Sequence, residues 1–519
     1  MSKAPAARTE PLSSRRVAPA APKDSSDAVP IQPGSVPEGW QARPILRAGD
    51  TCWRLETAER AAVLVDGAAY FAELEWALTQ ARHSIMIVGW DFDWRIRLRP
   101  DAPAEEGDEL GPFLRSLVEA RPELKIRILI WSVAVAHGSS SVMALLRDAP
   151  WARHPRISFK LDTRHPIYGS HHQKLVVVDD ALGFAGGIDL TAERWDTPAH
   201  RADEPHRTMP DGTPYRPVHD LQMMVDGPAA VALGDLARWR WQRATDDSLA
   251  PPPAQVGRGA GRWPQHLEPH FEDVEIGIAR TAPAWTGEAS IGESAALLRE
   301  AVDRARETVY IETQYLANFG IGDRLARRLA EPDGPEIVIL VILEARGVVE
   351  QLAMGSNRDR LIRRLMRADR YDRLRVMFPV VPDGEAEREV LVHTKLIIVD
   401  DALLRIGSAN LNNRSQGLDT ECDLAIEATD PETMVGIADL RTRLLAEHLD
   451  TDPESVRLAM QEQGSLIGAI EHLNTRPRGL RRYEIDPACG PARPFPGSRL
   501  LDPPKPLEPF WWLRRRLGF

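Results

Sequence analysis

The chain lacks the features of a disulfide scaffold, a membrane-spanning protein or a general nucleic-acid binder. Three cysteines, Cys52, Cys422 and Cys489, are spread over 519 residues. An odd count at wide spacing offers neither a disulfide framework nor a zinc pattern, so they read as buried or incidental thiols. No apolar run approaches the roughly 20 residues that cross a bilayer. Lys3, Arg8, Arg15 and Arg16 are followed by no apolar stretch, so no Sec-type signal peptide is visible. Positive charge is also in deficit, at a formal net charge of -11. An acidic balance argues against a general nucleic-acid binder but leaves room for a local basic pocket. The compartment stays open between cytoplasm and membrane surface.

Hydrophobic residues make up 43% of the chain and charged residues 27%, enough for one large core or two medium ones. Residues 1–38 are rich in Pro, Ala and Ser and are expected to form a disordered tail. Beyond them the chain repeats itself. Phe71, Leu74, Leu78 and Ala81 fall on one helical face, as do Leu298, Ala301, Val302 and Ala305 in a second copy. Each helix runs into a short apolar strand near Ile85 and Val309. A second strand follows, Ile126 to Trp131 and Ile337 to Leu343, with the continuous aliphatic character of strands buried on both faces.

The most informative match is His172-Gln173-Lys174-Leu175-Val176-Val177-Val178-Asp179 with His393-Thr394-Lys395-Leu396-Ile397-Ile398-Val399-Asp400. Asp-Ala-Leu follows both copies, at Asp180 and Asp401. Further on, Asp220-Leu221 and Glu421-Cys422-Asp423-Leu424 open equivalent strands, and a helix closes each half. The pattern predicts an α/β protein of two similar lobes with mixed sheets. Residues 39–250 form the first lobe and 291–475 the second. Residues 251–290, rich in Pro and Gly, are expected to be a linker. Residues 476–519 are expected to be a Pro-rich tail. It ends in Phe510, Trp511, Trp512 and Arg514 to Arg516, which could sit at a membrane interface, pack on the body or stay disordered.

On a strand, residues i and i+2 share a face, so His172 and Lys174 point together, as do His393 and Lys395. An imidazole beside a fixed ammonium suits an anionic ligand better than a core. Lys can neutralise phosphate oxygens, and His can act as nucleophile or general acid. One copy is a modest signal; two copies in matched positions of a repeat are a strong one. Asp220 and Glu421 occupy equivalent positions and are candidates to fix the tautomers of the histidines, Asp220 for His172 and Glu421 for His393. Asp179 and Asp400 belong to the catalytic motif but read as mainly structural, at strand ends. His171 should face away from His172 as a structural or rim histidine; His219, beside Asp220, is ambiguous.

The motif with its continuations, Gly186-Gly187-Ile188-Asp189 through Arg194-Trp195-Asp196 and Gly407-Ser408-Ala409-Asn410 through Ser415, resembles the phospholipase D superfamily. The first continuation and Ile311-Glu312-Thr313-Gln314-Tyr315 resemble true phospholipases D more than the superfamily's nucleases. The likeness covers residues 60 to 450. It implies α/β/α lobes related by a pseudo-twofold, with one active site at their interface. It implies His172 as nucleophile and His393 as acid/base, although near-symmetry leaves that order open. Lys174, Lys395 and Asn410 would contact phosphate, with Ser408, Gly186 and Gly187 in the same phosphate-binding segments. Asp189 stands where the second copy has Asn410. A carboxylate there would repel phosphate, so a structural hydrogen-bonding role is expected. Neither metal nor cofactor is implied. The expected activity is hydrolysis of a glycerophospholipid to phosphatidate and a head-group alcohol. Phosphatidyl transfer, as in a cardiolipin synthase, is the alternative; a nuclease and a silent lipid-binding scaffold rank below it. The expected partner is phospholipid at a membrane surface, not nucleic acid, with the protein a monomer.

Overall fold

The computed structural model describes residues 43–103, 108–132, 149–166, 168–253, 263–285, 287–343 and 354–506. The expected tail at residues 1–38 and the aromatic–basic end from Phe510 lie outside them. In the first half the strands are β1 (Arg54–Val65), β2 (Ser84–Gly89), β3 (Lys125–Trp131), β4 (Ile157–Asp162), β5 (Leu175–Val178), β6 (Leu182–Gly186), β7 (Val218–His219) and β8 (Leu221–Asp226). The helices are α1 (Asp66–Gln80), α2 (Leu110–Ala120) and α3 (Gly227–Thr245). The second half repeats the plan. It has β9 (Phe271–Ala282), α4 (Glu293–Arg304), β10 (Thr308–Thr313), α5 (Phe319–Ala330), β11 (Glu336–Leu340), α6 (Ser356–Ala368) and β12 (Leu374–Asp383). Then come β13 (Leu391–Val392), β14 (Lys395–Val399), β15 (Leu403–Gly407), β16 (Glu421–Glu427) and α7 (Pro431–His448). Helices α8 (Pro453–Gln463) and α9 (Leu466–Leu473) and strand β17 (Gly479–Arg482) complete it.

Strand pairing runs β4-β3-β2-β5-β6-β8-β1 in the first lobe, with parallel pairs at β4-β3-β2 and antiparallel pairs after. It runs β12-β11-β10-β14-β15-β16-β9 in the second, with the same mixture. The two lobes are therefore related by a pseudo-twofold, and β1 pairs antiparallel with β9 across its axis, Arg54 opposite Ile278 and Ala61 opposite Phe271.

This pairing corrects the expected linker. Residues 251–290 contain β9, the strand that joins the two sheets into one. Its sequence, with Val274, Ile276 and Ile278 alternating with polar or small residues, is that of a strand; the Pro and Gly flanking it masked the signal. The expected tail is corrected in the same way, because β17 pairs with β12, Met377 opposite Arg482.

Successive strand residues enter opposite cores, as the two-residue period requires. Met86, Val88, Leu175 and Val177 pack in a core shared with Leu396, Ile398, Leu424 and Ile426 of the second lobe, under α3 and α7. Ile85, Ile87, Val176 and Val178 face a separate core with α1 and α2. Val309, Ile311, Ile397 and Val399 do the same with α4, α5 and α6. At about 1.5–3 kcal/mol for each buried aliphatic side chain, the shared layer makes the two lobes one stable body. Among the described residues no helix is long and apolar enough to cross a membrane.

Candidate active site

The two motifs meet because each histidine strand is stitched to the other lobe. The amide of His172 donates to the carbonyl of Thr420 (2.9 Å), and that of His393 donates to the carbonyl of His219 (2.8 Å). Beside them β13 runs parallel to β7, Leu391 opposite Val218, and the amide of Ser170 donates to Asp419 (2.8 Å).

The crossing reverses the expected partners. Nδ1 of His172 lies 3.0 Å from Oε2 of Glu421 and 3.0 Å from the carbonyl of Ser408. Nδ1 of His393 lies 2.5 Å from Oδ2 of Asp220. Asp220 thus orients His393 and Glu421 orients His172, each from the opposite lobe. The sequence placed carboxylate and histidine in equivalent positions of one repeat. It could not show that each histidine reaches across the axis to the other lobe's carboxylate. With Nδ1 tied down, Nε2 is the atom each ring has left for chemistry. His172 retains 17% side-chain exposure and His393 8%, so both are sunk in the interface.

Lys174 Nζ lies 3.1 Å from Asp189 Oδ2 and donates to the carbonyl of His172 (2.8 Å). Asp189 Oδ1 accepts from the amide of Trp90 (2.9 Å). Asp189 is thus engaged by Lys174 and by the backbone of Trp90. Lys395 Nζ donates to the carbonyl of His393 and sits 3.3 Å from its Nδ1. Asn410, at the position matching Asp189, has a buried Oδ1 without a hydrogen-bond partner.

Three residues expected at the phosphate lie elsewhere. The hydroxyl of Ser408 donates to Glu421 Oε2 (2.6 Å) and accepts from the amide of Cys422 (3.0 Å), so it positions the carboxyl. Gly187 leaves room for Asp220, whose carboxylate occupies the space a Cβ would fill. Gly186 likewise lies against Leu221 and Gln222. Glycine is required here for close approach, not for anion binding.

Asp179 and Asp400 are not at the reacting centre. Asp179 accepts from the amides of Arg82, His83 and Ser84 (2.7, 2.7 and 2.6 Å). Asp400 accepts from Arg306, Glu307 and Thr308, each at 2.8 Å. Both follow a strand at positive φ and pin the start of the neighbouring strand, so their place in the catalytic motif is a structural one. His171 is also structural, with Nε2 3.2 Å from Asp162 and Arg240 paired with the same carboxylate.

Burial drives the electrostatics. Desolvation, reinforced by Lys174 and Lys395, holds His172 well below the ordinary imidazole range. Desolvation, Lys395 and Arg194 do the same to His393. Both rings are neutral at neutral pH, with lone pairs available. Burial and the repulsion of Lys174 and Arg194 push Lys395 down to about 7. Burial pushes Glu421 up to about 8 and also raises Asp220. An enclosed site whose ammonium is partly discharged is one that gains from an anion. Arg194 was quoted in the motif but given no role. Its Nε is buried without a hydrogen-bond partner, and its charge is felt by His393, Lys395 and Asp220. The sequence signal for it was an arginine seven residues beyond Gly187 in the first continuation of the motif.

Two lobes of one mixed sheet, each giving a His–Lys pair to a shared interface, define a class of protein, and the comparisons agree with it. The "Phospholipase D" family model matches residues 77–254 and the "Cardiolipin synthase, PLD-like domain" model residues 298–438. The chain belongs to the phospholipase D superfamily. It is 24% identical to phospholipase D A of Dictyostelium discoideum, over 75% of this chain and 35% of that protein. It is 25% identical to phospholipase D alpha 1 of Ricinus communis, over 68% of this chain and 60% of that one. The chain thus spans between one third and three fifths of these relatives' lengths. Among solved structures, phosphatidylserine synthase of Haemophilus influenzae Rd KW20 shares the fold at a TM-score of 0.50 and 13% identity, covering 82% of this chain and 98% of that one.

Proposed function

We propose that the protein is a phospholipase D-type phosphodiesterase that hydrolyses glycerophospholipids to phosphatidate and a head-group alcohol. The observation that supports this reading is the crossed pair of His–carboxylate contacts, 3.0 Å at His172 and 2.5 Å at His393, which holds the two His–Lys motifs at one interface. In the first step Nε2 of His172 attacks phosphorus, and the bond to the head-group oxygen breaks. His393 gives that oxygen its proton. In the second step water attacks phosphorus as His393 takes its proton, and the phosphorus–nitrogen bond breaks to release phosphatidate. Two in-line displacements retain configuration. Lys174, Lys395 and Asn410 stabilise the charge that develops on the non-bridging oxygens, so the step is carried by fixed donors. Burial and the neighbouring Lys395 and Arg194 charges keep His393 neutral; a bound phosphodiester anion would offset those charges and let the ring hold the proton it must deliver. The substrate is presented at a membrane surface, and a primary alcohol replacing water would give phosphatidyl transfer.

Purified protein incubated with phosphatidylcholine vesicles, with and without a primary alcohol, should yield phosphatidate and, with the alcohol, a phosphatidyl alcohol. A phosphatidyl alcohol without phosphatidate would assign the transferase instead. No product from any phospholipid, together with cleavage of DNA, would remove the lipase reading.

A further inference from the structure

A second cluster of ionisable side chains surrounds His219, the residue before Asp220, and is built from both lobes. Nδ1 of His219 lies 3.0 Å from Oδ1 of Asp66 and 3.0 Å from Oε1 of Glu447. Nε2 of His200 lies 3.0 Å from the same Glu447 oxygen and 3.5 Å from Oδ2 of Asp66. The four side chains are at most 8% exposed. Their candidate ligand atoms lie within 4.8 Å of one another.

Three features set this group apart from a chance meeting of charges. The first is size. A tetrahedral zinc site with bonds of about 2.0–2.1 Å has ligand–ligand edges of about 3.3 Å; the nitrogen–oxygen contacts here are 3.0 to 3.5 Å, counting either oxygen of Asp66, and one ligand atom from each residue falls within 4.8 Å of the others. The second is the use of the rings. Each histidine turns one nitrogen inward and the other to a carboxylate outside the group: His219 Nε2 to Glu312 (3.0 Å) and His200 Nδ1 to Asp196 (3.0 Å). That is how ligating imidazoles are held, with the outer N–H fixing tautomer and orientation. The outer carboxylates are themselves fixed, Glu312 by His448 (3.1 Å) and Asp196 by Arg207 (2.9 Å). The third is satisfaction. Nδ1 of His219 and Oδ2 of Asp66, both fully buried, make no hydrogen bond despite their short separations. His200 Nε2 and Glu447 Oε1 do share a hydrogen bond (3.0 Å), but a buried donor and acceptor left unbonded beside them leave a cation as the shared partner.

We propose that Asp66, His200, His219 and Glu447 form a structural Zn²⁺ site that clamps the two lobes together. Two imidazoles and two carboxylate oxygens in a compact four-ligand set select zinc over the oxygen-rich, higher-coordinate calcium and magnesium. The ion brings two positive charges to a cluster of four carboxylates, Asp66, Asp196, Glu312 and Glu447, of which Asp196 is paired with Arg207. Three ligands come from the first lobe and Glu447 from α7 of the second. The site is distinct from the two-histidine centre and takes no part in its chemistry. It holds the segment whose carbonyl, at His219, receives the amide of His393.

Full-length, tag-free protein should carry about one zinc per chain by elemental mass spectrometry. Asp66→Asn and His200→Gln should reduce that to background, and Glu312→Gln should weaken zinc affinity about 10–100-fold in competition with a chelating dye. Wild-type protein stripped by a strong chelator should melt at a lower temperature and recover when zinc is returned. Because the ligand variants could fail to fold, Co²⁺-substituted wild type supplies an independent reading, with the intense visible bands of tetrahedral cobalt expected. Wild type that holds no metal, gives no such bands and melts at the same temperature with zinc or chelator would overturn the proposal; two buried histidinium ions would then occupy the cluster. Zinc retained at full occupancy by folded Asp66→Asn and His200→Gln proteins would overturn it equally.

Discussion

The two halves of the molecule hold the same His-x-Lys pair in different company. Lys174 is paired with Asp189 at 3.1 Å, whereas the position equivalent to Asp189 beside Lys395 carries Asn410. Asp220 has a glycine, Gly187, against its carboxylate, whereas Glu421 has the hydroxyl of Ser408 at 2.6 Å. Arg194 lends charge to the site around Asp220, and its counterpart Ser415 lends only a hydroxyl near Glu421. A symmetric scaffold thus delivers two similar imidazoles, and a handful of neighbours makes them unequal. One ring leans on a carboxyl pushed up to about 8, the other on an aspartate within the field of an arginine. Backbone symmetry builds the site, and side-chain asymmetry gives its two imidazoles different surroundings.

The largest effects should come from the histidines. His172→Ala and His393→Ala should each lower kcat by on the order of 10⁴-fold or more on phospholipid, with circular dichroism unchanged. A diester with a good leaving group should separate them. It needs no proton on departure, so His393→Ala should regain much of its first-step rate while His172→Ala stays silent. The reverse pattern would exchange the two roles. Next in size are the orienting carboxylates. Asp220→Asn and Glu421→Gln should each lower kcat by about 10²–10⁴-fold. In double-mutant cycles Asp220 should couple to His393 and Glu421 to His172; coupling within each lobe would break the crossed arrangement.

The pH dependence follows from Lys395. Its ammonium, pushed down to about 7, is charged below that pH and discharged above it. Because kcat/KM reports the free enzyme, it should fall as pH rises through about 7, and Lys395→Arg should remove that limb. Smaller still, Asn410→Asp would give the second half the carboxylate of the first. A new anion near Lys395 should move the limb upward by about one pH unit, and an unmoved profile would show that Asn410 does not face the ammonium. Asp179→Ala and Asp400→Ala should leave turnover per folded molecule nearly unchanged. Each removes the acceptor of three backbone amides and should cost about 2–4 kcal/mol in denaturant unfolding.

Much of the scaffold could be read from periodicity. The faces Phe71-Leu74-Leu78 and Leu298-Ala301-Val302 are buried as expected, and so are the strands at Ile126 and Ile337. Such patterns are local and set by the 3.6- and two-residue periods. Strand β9 escaped because proline and glycine on either side of it outweighed a short alternating run. Strand β17 escaped because four residues in a proline-rich context carry too little pattern to register.

The sequence by itself picked out side chains that the fold brings together: two His-x-Lys pairs in a repeat and the carboxylates at Asp220 and Glu421. Only the tertiary structure decided how they are wired. Which carboxylate serves which histidine depends on strands separated by 249 residues in one case and 173 in the other. That choice is made where the lobes exchange hydrogen bonds across their axis. No local rule of spacing reaches so far along the chain. Equivalent positions in a repeat give the same answer whether a pair closes within a lobe or between lobes, and it is packing around the axis that selects the second.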